Sequence, residues 1–198
     1  MRVLAAALFA CLLATPAAAQ PVAPSPPPDP HPAPDQSDRN AKIDRLIAAL
    51  KTAQSEQEAA ILESHVVQLW IEGASPASRL LVARGVRELQ GGAKAEAVED
   101  FDALVTLEPT LPEAYHQRAI ARYEAGDTGG AIRDIERTLQ LEPRHFPALE
   151  LLSRIAEARG DWQTAYQAWR KVLALDPKAP GGTTRLNTLR VKALGRDT

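Results

Sequence analysis

The sequence predicts an all-α fold, a right-handed solenoid of stacked antiparallel helical hairpins closed by a C-terminal capping helix. Two observations carry this. First, five columns recur at a spacing of 34 without a gap: Pro109, Pro143 and Pro177; Ala97, Ala131 and Ala165; Gly92, Gly126 and Gly160; Leu107, Leu141 and Leu175; and Phe101, Ile135 and Trp169. A period of this length is one helical hairpin, which cannot bury its apolar face alone and so stacks on its neighbours. Second, the punctuation falls in phase. The glycines stand where a first helix must end in a left-handed conformation, and Pro112 and Pro147 stand where a new helix starts and a missing N–H costs nothing.

The elements follow in order. Residues 1–19 begin with Met1 and Arg2, continue through an apolar run around Cys11 and end on Ala17-x-Ala19, the pattern of a secretory signal peptide. That run is well short of the roughly 20 residues that span a bilayer, so a retained anchor is disfavoured. A lipid on Cys11 fits poorly as well, with Phe9 two residues before it. Residues 20–37 hold prolines from Pro21 to Pro34, which bias the chain to an extended, solvated spacer; a docking site for a proline-recognition module is the sharper alternative. Residues 38–77 read as a degenerate capping hairpin, with Ile43, Leu46, Ile47 and Leu50 on one stripe and Ser55 with Glu58 as a capping box for the next helix.

Three full units follow at 78–111, 112–145 and 146–179. Their first helices are expected at 78–90, 112–125 and 147–159, and their second helices at 94–107, 129–141 and 162–175. A last amphipathic helix at 183–195, capped by Thr183 or Thr184, covers the final unit with Leu186, Leu189, Ala193 and Leu194. Its opposite face, with Arg185, Asn187, Arg190 and Lys192, is expected to face solvent.

The columns resemble the tetratricopeptide repeat, whose motif is W-x2-L-G-x2-Y, then A-x3-F, then P. Ala97 to Phe101, Ala131 to Ile135 and Ala165 to Trp169 supply the second step. The first half departs: the Leu column holds Arg84, Arg118 and Leu152, and the Gly column holds Gly85, Ala119 and Ser153. The resemblance covers residues 78 to 179. It implies a concave groove lined by the first helix of each unit, here Arg79, Val82, Val86, Leu89 and Gln90, then Glu113, His116, Ile120, Tyr123 and Glu124, then Glu150, Arg154, Glu157 and Ala158. That surface is apolar in its first third and more acidic in its last, with His116, Ile120 and Tyr123 as a central strip. Some family members grip a peptide's terminal carboxylate with Lys and Asn; Val82, Val86, His116 and Ile120 occupy those places here, so a chaperone C-terminal tail is not the expected ligand.

Composition excludes several classes. The formal net charge is −2, which leaves no electrostatic footprint for nucleic acid. Cys11 is the only cysteine, so a form cleaved after Ala19 makes no disulfide and no thiolate metal site. His31, His65, His116 and His145 show no metal-ligand spacing, and neither Gly129-Gly130 nor Gly181-Gly182 has the Lys and strand of a phosphate loop. Glu136 and Glu142 read as solvated helix faces. No catalytic residue, cofactor or metal is expected. The expected partner is a protein or peptide in the cell envelope, with a self-associating or bridging subunit as the rival reading, and the expected compartment is periplasmic or secreted. Cleavage after Ala19 leaves Gln20 as the first residue; intact-mass spectrometry of the exported protein checks it, and a chain retaining Met1 or a lipid on Cys11 contradicts it.

Overall fold

The computed structural model describes residues 36–195, so the leader and nearly all of the spacer lie outside the described residues. Among them are nine α-helices and no strand. The first hairpin is α1 (Gln36–Leu50) with α2 (Glu56–Glu72). The three repeat hairpins are α3 (Pro76–Gln90) with α4 (Lys94–Leu107), α5 (Pro112–Glu124) with α6 (Thr128–Leu141), and α7 (Phe146–Ala158) with α8 (Trp162–Leu175); α9 (Gly182–Leu194) follows. Gln36 and Ser37, expected in the spacer, belong to α1. None of these helices is long and apolar enough to cross a membrane.

The turn inside each repeat is the same. Gly92, Gly126 and Gly160 take φ of 81°, 91° and 75°, and the next N–H, of Ala93, Asp127 and Asp161, reaches back to the carbonyls of Glu88, Arg122 and Ala156 at 2.8, 2.8 and 2.9 Å. Carbonyls left open at the helix end are thereby satisfied. Asp127 and Asp161 then cap the following helix, accepting from the N–H of Gly130 and Thr164. The small-residue column is also a packing requirement: a Cβ on Gly85 would lie 2.6 Å from Cζ of Phe101, and Ser153 donates its hydroxyl to the Ala165 carbonyl at 3.1 Å.

The arginines in the Leu column have a partner that explains them. Arg84 forms an ion pair with Asp100, and Arg118 with Asp134 at 2.7 Å, in each case across the hairpin. Arg118 also reaches Asp102 at 2.8 Å, tying α5 to α4. In the third repeat the column returns to Leu152, and the place corresponding to Asp100 and Asp134 is Ala168, which is buried.

Three expectations are corrected. The last helix is capped by Gly181, at φ 82° and without a side-chain bond, rather than by Thr183 or Thr184. Its cationic face is not wholly solvated: the Arg185 guanidinium sits 4.4 Å over the Trp169 ring and pairs with Glu157, and Lys192 lies 3.9 Å over Trp162. The first hairpin does not cap the start of the solenoid. Its core of Ile43, Ile47, Leu50, Ala59, Val66 and Trp70 includes Phe146 of α7 and borders Leu175 of α8, and α2 packs against α5 more than against α3. The outer face of α3 is consequently open, with Leu80 72% exposed.

At the other end α9 covers α8 as expected. Leu189 is 1% exposed against Val172 and Trp169, and Trp169 Nε1 donates to the Gly182 carbonyl at 2.9 Å. Leu189→Ala is expected to lower unfolding stability by about 2–5 kcal/mol, the cost of a large-to-small change at a buried site; urea denaturation measures it.

Candidate functional site

The first helices of the repeats, α3, α5 and α7, lie side by side. Between α5, α7 and α9 opens a hollow of about 370 Å³, whose walls include His116, Ile120, Glu150, Leu151, Arg154, Trp169 and Arg185. Its electrostatics are mixed. Burial raises the Glu150 carboxyl, Asp176 adds to the rise and Arg185 opposes it. Arg185 Nε is buried with no acceptor. With Glu157 paired to Arg185, this end of the inner face is not the acidic third that its sequence implied.

Beneath the hollow lies a buried polar cluster. Glu113, 0% exposed, bonds His145 Nε2 at 2.9 Å, His116 Nδ1 at 3.3 Å and Gln117 Nε2 at 2.5 Å. Burial alone pushes the Glu113 carboxyl up, but the charge and hydrogen bond of His116 and the hydrogen bond of His145 outweigh it and hold it well below the carboxylate range. Burial lowers His145, with Glu113 opposing. His145 also caps α7, its Nδ1 accepting the Ala148 N–H at 3.3 Å. That bond leaves the ring's proton on Nε2, pointing at Glu113. The donor atoms of Glu113, His116 and His145 lie within 4.8 Å of one another, a ligand-like grouping that linear spacing hid. A metal on His145 Nε2 would have to displace that proton, for which Nδ1 has no room while it holds Ala148. The cluster is built to join α5 to the start of α7.

Trp70 of α2 stacks on His145 at 4.2 Å, 17° from parallel, and leans on Phe146 at 5.6 Å. Glu63, two turns earlier on α2, meets Asp176 and Glu150. Burial above all, with the hydrogen bond and charge of Asp176 and the charge of Glu150, raises its carboxyl to about 8. Held docked, Glu63 keeps a proton it would give up in water. Docking is therefore favoured at low pH and weakens as pH rises from 4.5 through about 8.

Of the residues that the repeat pattern put in the groove, four line the hollow: His116, Ile120, Glu150 and Arg154. Others are elsewhere. Glu113 is wholly buried, Val82 is core against Phe101, and Val86 and Leu89 pack on the same cluster. Arg79 is exposed and bonds the Ala74 carbonyl, Gln90 and Ala158 are exposed, Glu124 faces Lys94 at 3.6 Å, and Glu157 is held by α9. Tyr123 is half-buried, with Arg154 5.7 Å over its ring, so it is not an open anchor beside Ile120. Glu142 is not a solvated face either; it accepts from the Arg144 guanidinium at 2.9 Å. Trp169 and Arg185 belong to the hollow and were assigned to core and solvent; only the bend that brings α9 back over α8 reveals them.

No family model matches the chain. It is 26% identical over 162 residues to a TPR repeat-containing protein of Rhizobium etli, covering 82% of this chain and 79% of that protein. It is 32% identical over 118 residues to tetratricopeptide repeat protein 36 of Mus musculus, covering 52% of this chain and 63% of that protein, so it spans under two thirds of the mouse relative. Among solved structures, the first TPR of Spaghetti (RPAP3) bound to HSP90 peptide SRMEEVD shares the fold, with a TM-score of 0.55, 20% identity, and coverage of 59% of this chain and 92% of that one.

Glu113 titrates below its ordinary 4.5, so it contributes stability that is complete above about pH 4.5 and lost as pH falls further. Glu113→Gln is expected to cost about 2 kcal/mol at neutral pH and to flatten the loss of stability between about pH 5 and pH 3. Denaturation curves at each pH check both.

Proposed function

We propose, for a chain whose relatives and fold support the tetratricopeptide repeat family, an exported adaptor that holds a segment of another cell-envelope protein in the hollow between its second and third repeats. The observation that carries this is the wall chemistry. Ile120, Leu151 and Trp169 offer apolar contact, and Arg154 and Arg185 offer two guanidiniums beside it, one with a buried Nε lacking an acceptor. Apolar anchors supply affinity in such grooves and charged neighbours supply selection.

The Spaghetti domain, which shares the fold, is bound to an HSP90 peptide; that likeness supports a peptide-binding role. The ligand here differs, because Val82, Val86, His116 and Ile120 stand where a carboxylate clamp needs Lys and Asn, and Val82 and His116 are buried. A binding role rather than catalysis also fits the polar cluster, since the Glu113 carboxylate is engaged by three donors. Export is the reading that the leader pattern of residues 1–19 supports, with the periplasm or the outside of the cell as the compartment it would imply.

A second reading, a bridging or self-associating subunit, is favoured by the open outer face of α3, where Ala77, Leu80, Leu81, Arg84 and Arg87 surround a hollow of about 420 Å³. The two separate by mutation. Ile120→Asp with Arg154→Glu is expected to reduce capture of the envelope partner at least tenfold, the scale of a central anchor, with helical content unchanged. Leu80→Asp is expected to leave capture intact. Affinity purification from the native envelope reads both, and loss of capture on Leu80→Asp alone assigns binding to the end of the solenoid.

A further inference from the structure

The end of the solenoid at α3 is a seat without a helix, and the chain shows twice what fills such a seat. Ala77, Leu80, Arg84 and Arg87 form one stripe of α3 along the open hollow there. One repeat later the same places hold Leu111, Ala114, Arg118 and Ala121, and two repeats later His145, Ala148, Leu152 and Ile155. Arg118 and Leu152 are half-buried and the other six are buried. The second helix of the preceding repeat packs there, α4 on α5 and α6 on α7; Leu104 of α4 shares one core with Leu111, Ala114 and Ala121. All four residues of the α3 stripe are exposed instead. Among the described residues, no helix takes on α3 the place that α4 takes on α5.

The arginines show what the missing helix carries. Arg118 holds Asp134 across its own hairpin and Asp102 of the preceding helix, at 2.7 and 2.8 Å, and its side chain is 14% exposed. Arg84 holds the corresponding Asp100 across its own hairpin, yet its side chain is 58% exposed. What it lacks is the counterpart of Asp102. Asp100 is buried and Glu88, 3.8 Å from Arg84, is half-buried, so the charge this face turns to solvent is that of Arg84 and Arg87.

We propose that the outer face of α3 docks an acidic amphipathic helix of another protein, seated as α4 is on α5, with apolar side chains on Ala77 and Leu80 and a carboxylate at Arg84 and Arg87. Apolar anchors hold a helix on such a stripe, and a guanidinium selects the carboxylate. The inference rests on the open end described above and names its occupant; it does not need the hollow between α5 and α7. A second copy of the chain matches poorly. Pairing α3 with itself sets Arg84 and Arg87 of one copy against those of the other, and α9 at the far end carries Arg185, Arg190 and Lys192 but no Asp or Glu.

The test uses the full chain and a fluorescent, end-capped peptide with the sequence of residues 94–107, α4 itself, whose Asp102 is the carboxylate that meets Arg118. Anisotropy titrations compare wild type with three variants. Leu80→Asp removes the apolar anchor and is expected to bind the peptide about tenfold or more weakly. The neutral variant, Arg84→Leu with Asp100→Ala and Arg87→Ala, borrows each residue from the other repeats, where Leu152, Ala168 and Ala121 hold those places. It is expected to weaken binding to the same extent. Ile120→Asp with Arg154→Glu, in the hollow, is expected to leave peptide binding unchanged. An Asp102→Lys peptide is expected to bind wild type about tenfold or more weakly than the parent peptide, since it sets like charges together. Circular dichroism checks each fold; should the neutral variant unfold, the Asp102→Lys peptide on wild type carries the charge test.

No binding to wild type, equal binding to Leu80→Asp, or equal binding of the two peptides overturns the proposal. Loss of peptide binding in Ile120→Asp with Arg154→Glu overturns it too, placing the peptide in the hollow. A wild-type chain that sediments as a dimer while Leu80→Asp sediments as a monomer assigns the face to a second copy and also overturns it. The adaptor reading fails separately: if Ile120→Asp with Arg154→Glu leaves envelope capture intact, the hollow is not the binding site whatever the peptide does on α3.

Discussion

One buried carboxylate sets the geometry around which the chain is arranged. Glu113 has no exposed surface, and a carboxylate in that position survives only if its oxygens are filled by donors. His145, His116 and Gln117 fill them. His145 is at once the cap of α7 and the ring on which Trp70 stacks, so the hydrogen bond that satisfies Glu113 also fixes where α7 begins and where α2 comes to rest. Three elements distant in sequence are joined through one side chain.

The repeats supply the frame that makes such a site possible. Each hairpin turns on a left-handed glycine and packs a small residue against the ring or chain opposite, as Gly85 does on Phe101. Where the Leu column is replaced by arginine, an aspartate appears across the hairpin to meet it, in two repeats of three. The departure from the family pattern is a paired one, and the pair spans the hairpin where a leucine would have packed.

Much of this was legible in the sequence because it is periodic. The glycines, the prolines and the Ala-to-aromatic step sit one repeat apart, and a period declares itself without knowledge of distance; helix α4 begins at Lys94 and ends at Leu107, where the columns place it. What does not repeat was hidden. Nothing in the linear chain says that the hairpin before the repeats folds onto α5 and α7 instead of stacking on α3, because its apolar stripe serves either surface. For the same reason Glu113 and His145, 32 residues apart, carry no spacing signal, and Arg185 read as solvated although it covers Trp169. Only four of the fourteen expected groove residues line the hollow, for a related cause: a family's inner positions are defined for an open face, and here part of that face lies beneath another helix.

The account stands on the contact between Trp70 and His145. Proton NMR of isotope-labelled protein, with ring assignments for both residues, tests it directly. The expected spectrum has cross-peaks between the Trp70 indole and the His145 imidazole, and a His145 ring that keeps its neutral Nε2–H form to lower pH than an ordinary imidazole, because burial disfavours its charged form. Cross-peaks from the Trp70 indole to Leu80 of α3 instead, with His145 titrating as a free imidazole, would place the hairpin at the end of the solenoid and contradict the arrangement.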